Sequence, residues 1–215
     1  AWAESGAPQG NASALPPLPE LSTGTDWQTA ELLGPPDFVV KSPPYTIAAN
    51  AQDQWWVRNT SFEGLIDGPR YVRATELKGS YPLGVKVLHH GHAQLTSRDA
   101  SGGRVSGPIG RQGVGKGGDM FPEGTGMLIN PTGSINWSLH YFPIDQEVQN
   151  EQAEAAVWLY PEGYKPEFDT RGEQFFAADT GNGGLWANDL LLPPNSIKSQ
   201  QGVRVLKRAA LVTSF

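Results

Sequence analysis

Cysteine is absent from this chain of 215 residues. Disulfides are therefore excluded, and a transition-metal site would have to combine histidine with carboxylate, methionine or water. Methionine is also scarce, with only Met120 and Met127 in the whole sequence. No apolar run reaches the roughly 18 residues of a membrane-spanning helix, so we expect no membrane span in this chain.

Charged residues are also scarce. Charged residues make up only 18% of the chain, and the formal net charge is −6. The low charge and the negative balance argue against nucleic acid as a partner. Glycine and proline are abundant instead, with 26 and 18 copies. This composition favours many turns and short strands over long helices.

Alternating polarity is the main secondary-structure signal. The segment "GSINWSLHYF" predicts a strand in which alternate residues face opposite sides. Its apolar face consists of Ile135, Trp137, Leu139 and Tyr141, and its other face of Asn136, Ser138, His140 and Phe142. Further strand-like segments recur along the chain, and two are expected after the Pro-Pro pair at 193–194. The pattern is typical of an all-β antiparallel sandwich or barrel.

Two segments interrupt this pattern. The glycine-rich stretch 101–118 predicts either a mobile loop or a hairpin excursion. The stretch 146–156 is compatible with a short helix, the only such segment near the predicted strands. The segment "LGVKVLHHGHAQL" alternates like a strand throughout, so we expect residues 83–95 to be extended.

The four histidines of the chain occur in two strand-like segments: His89, His90, His92 and His140. Imidazoles converging from two strands would form a nitrogen-rich site suited to copper, zinc, iron or nickel. Adjacent His89 and His90 point to opposite faces of an ideal strand, so a shared metal requires a bulge, a twist or a strand end there. His90 and His92 share a face and form the simpler chelating pair. The alternative interpretation is that these histidines are solvated or hydrogen-bonded without a metal.

Other candidate groups are less specific. Four carboxylates flank the loops near the histidine segments and would orient an imidazole or simply face solvent: Asp119, Glu123, Asp145 and Glu147. Met120 and Met127 would meet Cu(I) or fill gaps in the core. No P-loop, dinucleotide-binding, nucleophile-elbow or His-Glu-x-x-His motif is present in the sequence.

Three segments together carry a family resemblance: "VLHHGHAQL", "GKGGDMFPEGTGMLINPTGSINWSLHYFP" and "AAVWLYPEGY". In this order they resemble the copper type II, ascorbate-dependent monooxygenase family, which includes peptidylglycine α-hydroxylating and dopamine β-monooxygenases. The resemblance covers residues 36–215 and is greatest to exported bacterial relatives that join such domains to a c-type cytochrome. It implies a jelly-roll β-sandwich. It also implies one electron-donating copper on His89, His90 and His140, with His92 as a candidate extra ligand.

The resemblance also implies a domain organisation. We expect an extended linker or tail over 1–36, a first copper domain over 37–185, and the first strands of a truncated second domain over 186–215. The oxygen-activating copper site of the family, a His-x-His pair and a distant Met, has no counterpart in this sequence. We therefore expect electron transfer by this chain and leave open whether the chain itself is an enzyme.

The implied partners are a c-type cytochrome domain and the rest of a second copper domain. The implied location is exported, either periplasmic or extracellular. The alternative is a non-catalytic jelly-roll scaffold or accessory subunit of a larger exported assembly. A third possibility is a carbohydrate-binding jelly roll that uses exposed tryptophans as stacking platforms.

Overall fold

The computed structural model describes residues 3–17, 25–98, 102–113, 115–170 and 193–197. The chain divides into two compact units, Ala1–Thr170 and Arg171–Phe215. The strands expected near the C-terminus and the beginning of the truncated second domain lie outside the described residues. The assignment of a second domain therefore stays a prediction, and the described helices and strands all lie in the first unit.

Strands dominate the described part of this unit. They are β1 (Phe38–Lys41), β2 (Tyr45–Ile47), β3 (Gln54–Ser61), β4 (Arg70–Lys78), β5 (Leu88–Arg98), β6 (Arg104–Gly113), β7 (Asp119–Met120), β8 (Thr125–Ile129), β9 (Gly133–Tyr141), β10 (Val148–Glu151), β11 (Glu154–Leu159) and β12 (Phe168–Asp169). Helices are short: a 3₁₀ turn at Ala12–Ala14, α1 (Ala30–Leu33) and α2 (Gly84–Val87). No helix within the described residues is both long and apolar enough to cross a bilayer.

Two sheets form the body of the unit. Sheet I has the order β1–β11–β4–β8–β12, with β7 also paired to β4. Sheet II has the order β3–β9–β5–β6. All pairs are antiparallel except β12 with β8. One apolar core contains side chains of both sheets. The all-β antiparallel prediction is confirmed, and the finer jelly-roll assignment stays a prediction.

Strand β9 lies at the centre of sheet II, between β3 and β5. Its predicted apolar face is confirmed, since Ile135, Trp137, Leu139 and Tyr141 are all 0% exposed. The indole Nε1 of Trp137 also donates a hydrogen bond to Thr60 Oγ1 on β3, at 3.0 Å. Because successive side chains of a strand point to opposite faces, burial of the apolar face of β9 places His140 on the outer face of the sheet.

The structure corrects two local predictions. The helix-compatible stretch 146–156 contains β10 and the start of β11 instead. The reason is tertiary, because Ala155 and Val157 enter the core between the sheets and burial overrides weak helix propensity. The extended prediction for 83–95 is wrong over its first part, where α2 precedes β5. The glycine-rich stretch includes β6, which pairs with β5 as a hairpin strand.

Part of the N-terminal tail packs against sheet I. The Trp27 ring lies edge-on to Trp158 of β11, with ring centroids 6.4 Å apart. The buried Glu76 carboxylate accepts the backbone N–H groups of Gln28 and Thr29, at 3.0 and 2.8 Å. These bonds satisfy donors at the beginning of α1 that the short helix leaves unpaired. The segment around α1 is therefore a docked part of the domain rather than an extended tail.

Candidate metal centre

A β-bulge at His89 brings the adjacent histidines to one site. Leu88 lies opposite Tyr141 and His90 lies opposite His140, so β5 has one more residue than β9 in this interval. His89 is that extra residue, and the bulge releases it from strict alternation. The distortion expected from the sequence is therefore present, and it lies at the first residues of β5.

Backbone and packing contacts hold the bulge in place. The Val87 carbonyl, at the end of α2, accepts the N–H of Phe142 at 2.8 Å. Gly91 follows the pair and faces the core, where an added Cβ would lie 2.8 Å from Leu139 Cδ2. A side chain at this position would require the buried end of the Leu139 side chain to shift. Glycine between His90 and the next histidine therefore leaves this space to the Leu139 side chain.

A buried carboxyl group supports the chain before α2. Glu151 is 1% exposed and accepts hydrogen bonds from the backbone N–H and the hydroxyl of Ser80. Its carboxyl group fills the space that a side chain at Gly84 would need. Burial raises the pKa of Glu151, although the bonds from Ser80 act in the opposite direction. The carboxyl thus ties β10 to the segment that leads into the histidine pair.

Three histidines converge at this end of sheet II. One nitrogen from each of His89, His90 and His140 lies within 4.8 Å of the others. The Nδ1 atoms of His90 and His140 are 3.2 Å apart. Two nitrogens bound at roughly 2.0–2.1 Å in tetrahedral geometry lie about 3.4 Å apart, so this spacing fits a shared metal ion. The group is therefore close enough to hold a metal ion.

The pKa of His90 also suits a metal. Burial, and then the neighbouring imidazoles, lower the pKa of His90. A neutral imidazole offers a lone pair, whereas an imidazolium offers none. His140 is 7% exposed, and its Nε2 lies 3.0 Å from Asp53 Oδ2. An ionised carboxylate only accepts hydrogen bonds, so the His140 proton lies on Nε2 and its Nδ1 faces His90.

Exposed aromatic side chains border the cluster. The Trp55 indole stacks on His140 with ring centroids 4.6 Å apart and planes 6° apart. It meets His90 edge-on at 5.1 Å. On the other side, Phe142 lies 6.2 Å from the ring of His89. Trp55 and Phe142 are 61% and 56% exposed, so the cluster lies at the surface behind an apolar rim.

His92 lies outside this group of three. It is exposed, and on β5 it is opposite Ser138 of β9 and Arg111 of β6. Its imidazole is still near enough to contribute to the lowered pKa of His90. Alternation alone favoured His90 and His92 as the chelating pair. In the structure, the nitrogens that converge with His140 are those of His89 and His90.

The other sequence candidates take different places. Met127 is 1% exposed and belongs to the core. Met120 is exposed on β7 of sheet I, away from the strands that carry the histidines. Asp119 pairs with Lys116 at 2.7 Å, and Glu147 accepts a bond from Gln149 at 2.6 Å. None of the described contacts joins these groups to the histidine cluster.

Sequence reasoning did not assign Asp53 or Trp55 to the metal site. Asp53 lies immediately before β3, and Trp55 is directly opposite His140 in the β3–β9 pair. Alternation places both on one face of the segment "DQWWVRNTSF", and this was the available signal. The missing information was the pairing of β3 with β9, which joins residues 87 positions apart in the chain.

The chain was compared with protein-family models, with curated proteins and with solved structures. None of these comparisons gave a match.

Proposed function

We propose that His89, His90 and His140 bind one copper ion, and that the domain transfers electrons through it. The observation that carries this proposal is the convergence of three imidazole nitrogens within 4.8 Å at the sheet surface. The proposal also rests on the resemblance of the "HHGH" and "SLHYFP" segments to copper type II monooxygenases. When bound, copper would supply one-electron cycling between Cu(II) and Cu(I).

The donor set fits copper and the other transition metals that imidazole binds, and the family resemblance favours copper among them. All three donors are imidazoles, and imidazole suits copper in both oxidation states as well as zinc. The group contains no thiolate, since the chain has no cysteine. No carboxylate belongs to the three-residue group found among the described residues. Oxygen-rich sites are the ones preferred by magnesium and calcium, so these ions are disfavoured here.

The surroundings support electron transfer. His89 is exposed, so one ligand faces solvent where a redox partner has access. His140 is held from two sides, by Asp53 and by Trp55. Fixed ligands reduce the rearrangement that accompanies a change of oxidation state. We propose a c-type cytochrome domain and a second copper domain as partners, in an exported location, on the basis of the family resemblance.

Copper titration of a His140→Ala variant tests the proposal. Loss of an orienting neighbour of a ligand typically lowers metal affinity by about 10–100-fold, so loss of the ligand itself should lower it by about 100-fold or more. The spectrum of Cu(II) should also change in electron paramagnetic resonance. His92→Ala is the matched control, because it removes an exposed imidazole outside the group.

The outcomes separate the alternatives. Stoichiometric copper in the parent protein, lost in His140→Ala and kept in His92→Ala, supports the copper domain. No copper uptake by the parent protein contradicts it and favours the scaffold alternative. Equal loss in both variants would place the metal on a different set of histidines.

A further inference from the structure

We propose that Asp53 is a positioning residue of the copper centre. It fixes Nδ1 of His140 as the ligating atom, and its negative charge favours the oxidised metal. This inference rests on the copper-binding function proposed above. It concerns a carboxylate that is half-exposed and would otherwise count as an ordinary surface group.

The argument begins with the orientation of one ring. A rotation of the His140 ring by half a turn about its Cβ–Cγ bond places Cδ2 where Nδ1 was and Cε1 where Nε2 was. Trp55 restricts the plane of the ring by stacking on it within 6°, but stacking alone does not distinguish the two flipped states. Asp53 distinguishes them, because its Oδ2 accepts the proton of Nε2 at 3.0 Å. In the flipped state this bond would be lost, and the carbon Cδ2 would replace Nδ1 as the atom that faces His90.

The second step concerns charge. A carboxylate that accepts the remote N–H of a ligating imidazole increases the basicity of the ligating nitrogen. A more basic nitrogen and a nearby negative charge both stabilise Cu(II) more than Cu(I). Asp53 should therefore lower the reduction potential of the centre. The other two ligands differ in this respect, since no described contact joins His89 or His90 to a carboxylate.

Three variants separate the hydrogen bond from the charge. Asp53→Ala removes both, whereas Asp53→Asn removes the charge and keeps an oxygen that can accept the Nε2 proton. Glu63→Gln is the matched control, because it removes one exposed carboxylate charge beyond the opposite end of β3. Asp53 is half-exposed, so we expect all variants to fold.

Affinities for Cu(II) and Cu(I) are measured by competition with chromophoric chelators, and the potential by spectroelectrochemistry. In Asp53→Ala we expect Cu(II) affinity to fall by about 10–100-fold, Cu(I) affinity to fall less, and the potential to rise. Asp53→Asn should raise the potential while it retains most of the Cu(I) affinity. Glu63→Gln should match the parent protein. Unchanged potentials in both Asp53 variants would overturn the proposal.

Nuclear magnetic resonance of ¹⁵N-histidine protein reads the ring atoms directly. Two-bond ¹H–¹⁵N correlations distinguish a protonated Nε2 from a protonated Nδ1, both in copper-free and in anaerobic Cu(I)-loaded protein. We expect His140 to carry its proton on Nε2 in the parent protein and in Asp53→Asn, and to become a tautomer mixture in copper-free Asp53→Ala. The same tautomer distribution in all variants would overturn the role of Asp53.

The same spectra distinguish a failure of the proposed copper function from a failure of the inference about Asp53. If the parent protein takes up no copper, the proposed copper function fails, while the copper-free spectra still decide whether Asp53 selects the tautomer. If copper binds His140 through Nε2, the copper function stands and the inference about Asp53 is wrong.

Discussion

The hydroxyl of Tyr141 provides a sharp test of the core beside the metal centre. The side chain is 0% exposed, and its oxygen has no hydrogen-bond partner among the described residues. Burial also raises the pKa of Tyr141 well above its ordinary value, so the group is neutral. In the unfolded chain the Tyr141 hydroxyl forms hydrogen bonds with water, and in the folded protein it forms none among the described residues. Replacement of Tyr141 by Phe removes this hydroxyl.

The expected magnitude follows from two opposing effects. A buried polar group without a hydrogen-bond partner lowers the free energy of unfolding by about 1–3 kcal/mol, and Tyr141→Phe removes this destabilisation. The void left by one oxygen is smaller than a methyl-sized cavity, which itself costs about 1 kcal/mol. We therefore expect Tyr141→Phe to increase the free energy of unfolding by about 1 kcal/mol.

Tyr45 supplies a matched control with the opposite sign. Its ring stacks on Tyr141 at 5.8 Å, but its hydroxyl donates to Gln54 Oε1 at 2.6 Å. Tyr45→Phe therefore loses a real hydrogen bond and should decrease the free energy of unfolding by about 0.5–1.5 kcal/mol. The two variants delete the same atom type from neighbouring rings.

Urea denaturation of the copper-free protein measures both changes. With a slope of about 1–3 kcal/mol per molar urea, a change of 1 kcal/mol shifts the midpoint by roughly 0.3–1 M. We expect a higher midpoint for Tyr141→Phe and a lower one for Tyr45→Phe. A decrease of similar size in both would refute the reasoning, because it would mean that the Tyr141 hydroxyl is hydrogen-bonded in solution.

Two further predictions concern a buried acid and a crowded glycine. The pKa of Glu151 is raised in the folded protein. Its protonated form therefore stabilises the fold below about pH 4.5, which is the usual pKa of this group in an unfolded chain. This stabilisation is lost as the pH rises through the pKa of the folded state. Glu151→Gln should therefore flatten the decline of the urea midpoint above that pH, and an unchanged slope would contradict this. At Gly133, an added Cβ would lie 2.6 Å from Phe62 Cζ, so Gly133→Ala should cost about 1–3 kcal/mol. Gly113→Ala, with nothing within 4 Å of the added atom, should cost little, and equal thermal midpoints for the two variants would refute the packing argument.

Strand β9 shows what alternation alone can predict. Its four apolar side chains recur at every second residue and are all buried. A strand with one buried face must show this period, because successive side chains point to opposite sides. Both the element and the outward direction of His140 could therefore be predicted without any knowledge of neighbouring strands.

The stretch 146–156 shows where local pattern is insufficient. Its residues tolerate a helix, and the choice of strand depends on pairing with β1, β2 and β4. These partners lie far away in the chain. The free energy of pairing and burial exceeds the small differences in propensity between helix and strand, so only the assembled sheet decides the conformation.

The sequence by itself determined the chemistry available to this protein. Four histidines and no cysteine limit a transition-metal site to imidazole together with carboxylate, methionine or water. Only the tertiary structure decided which imidazoles meet and what holds them. The bulge at His89, the convergence on His140 and the carboxylate of Asp53 all depend on strand register. Strand register is set by packing between residues that are distant in sequence, so it cannot be predicted from a local sequence pattern.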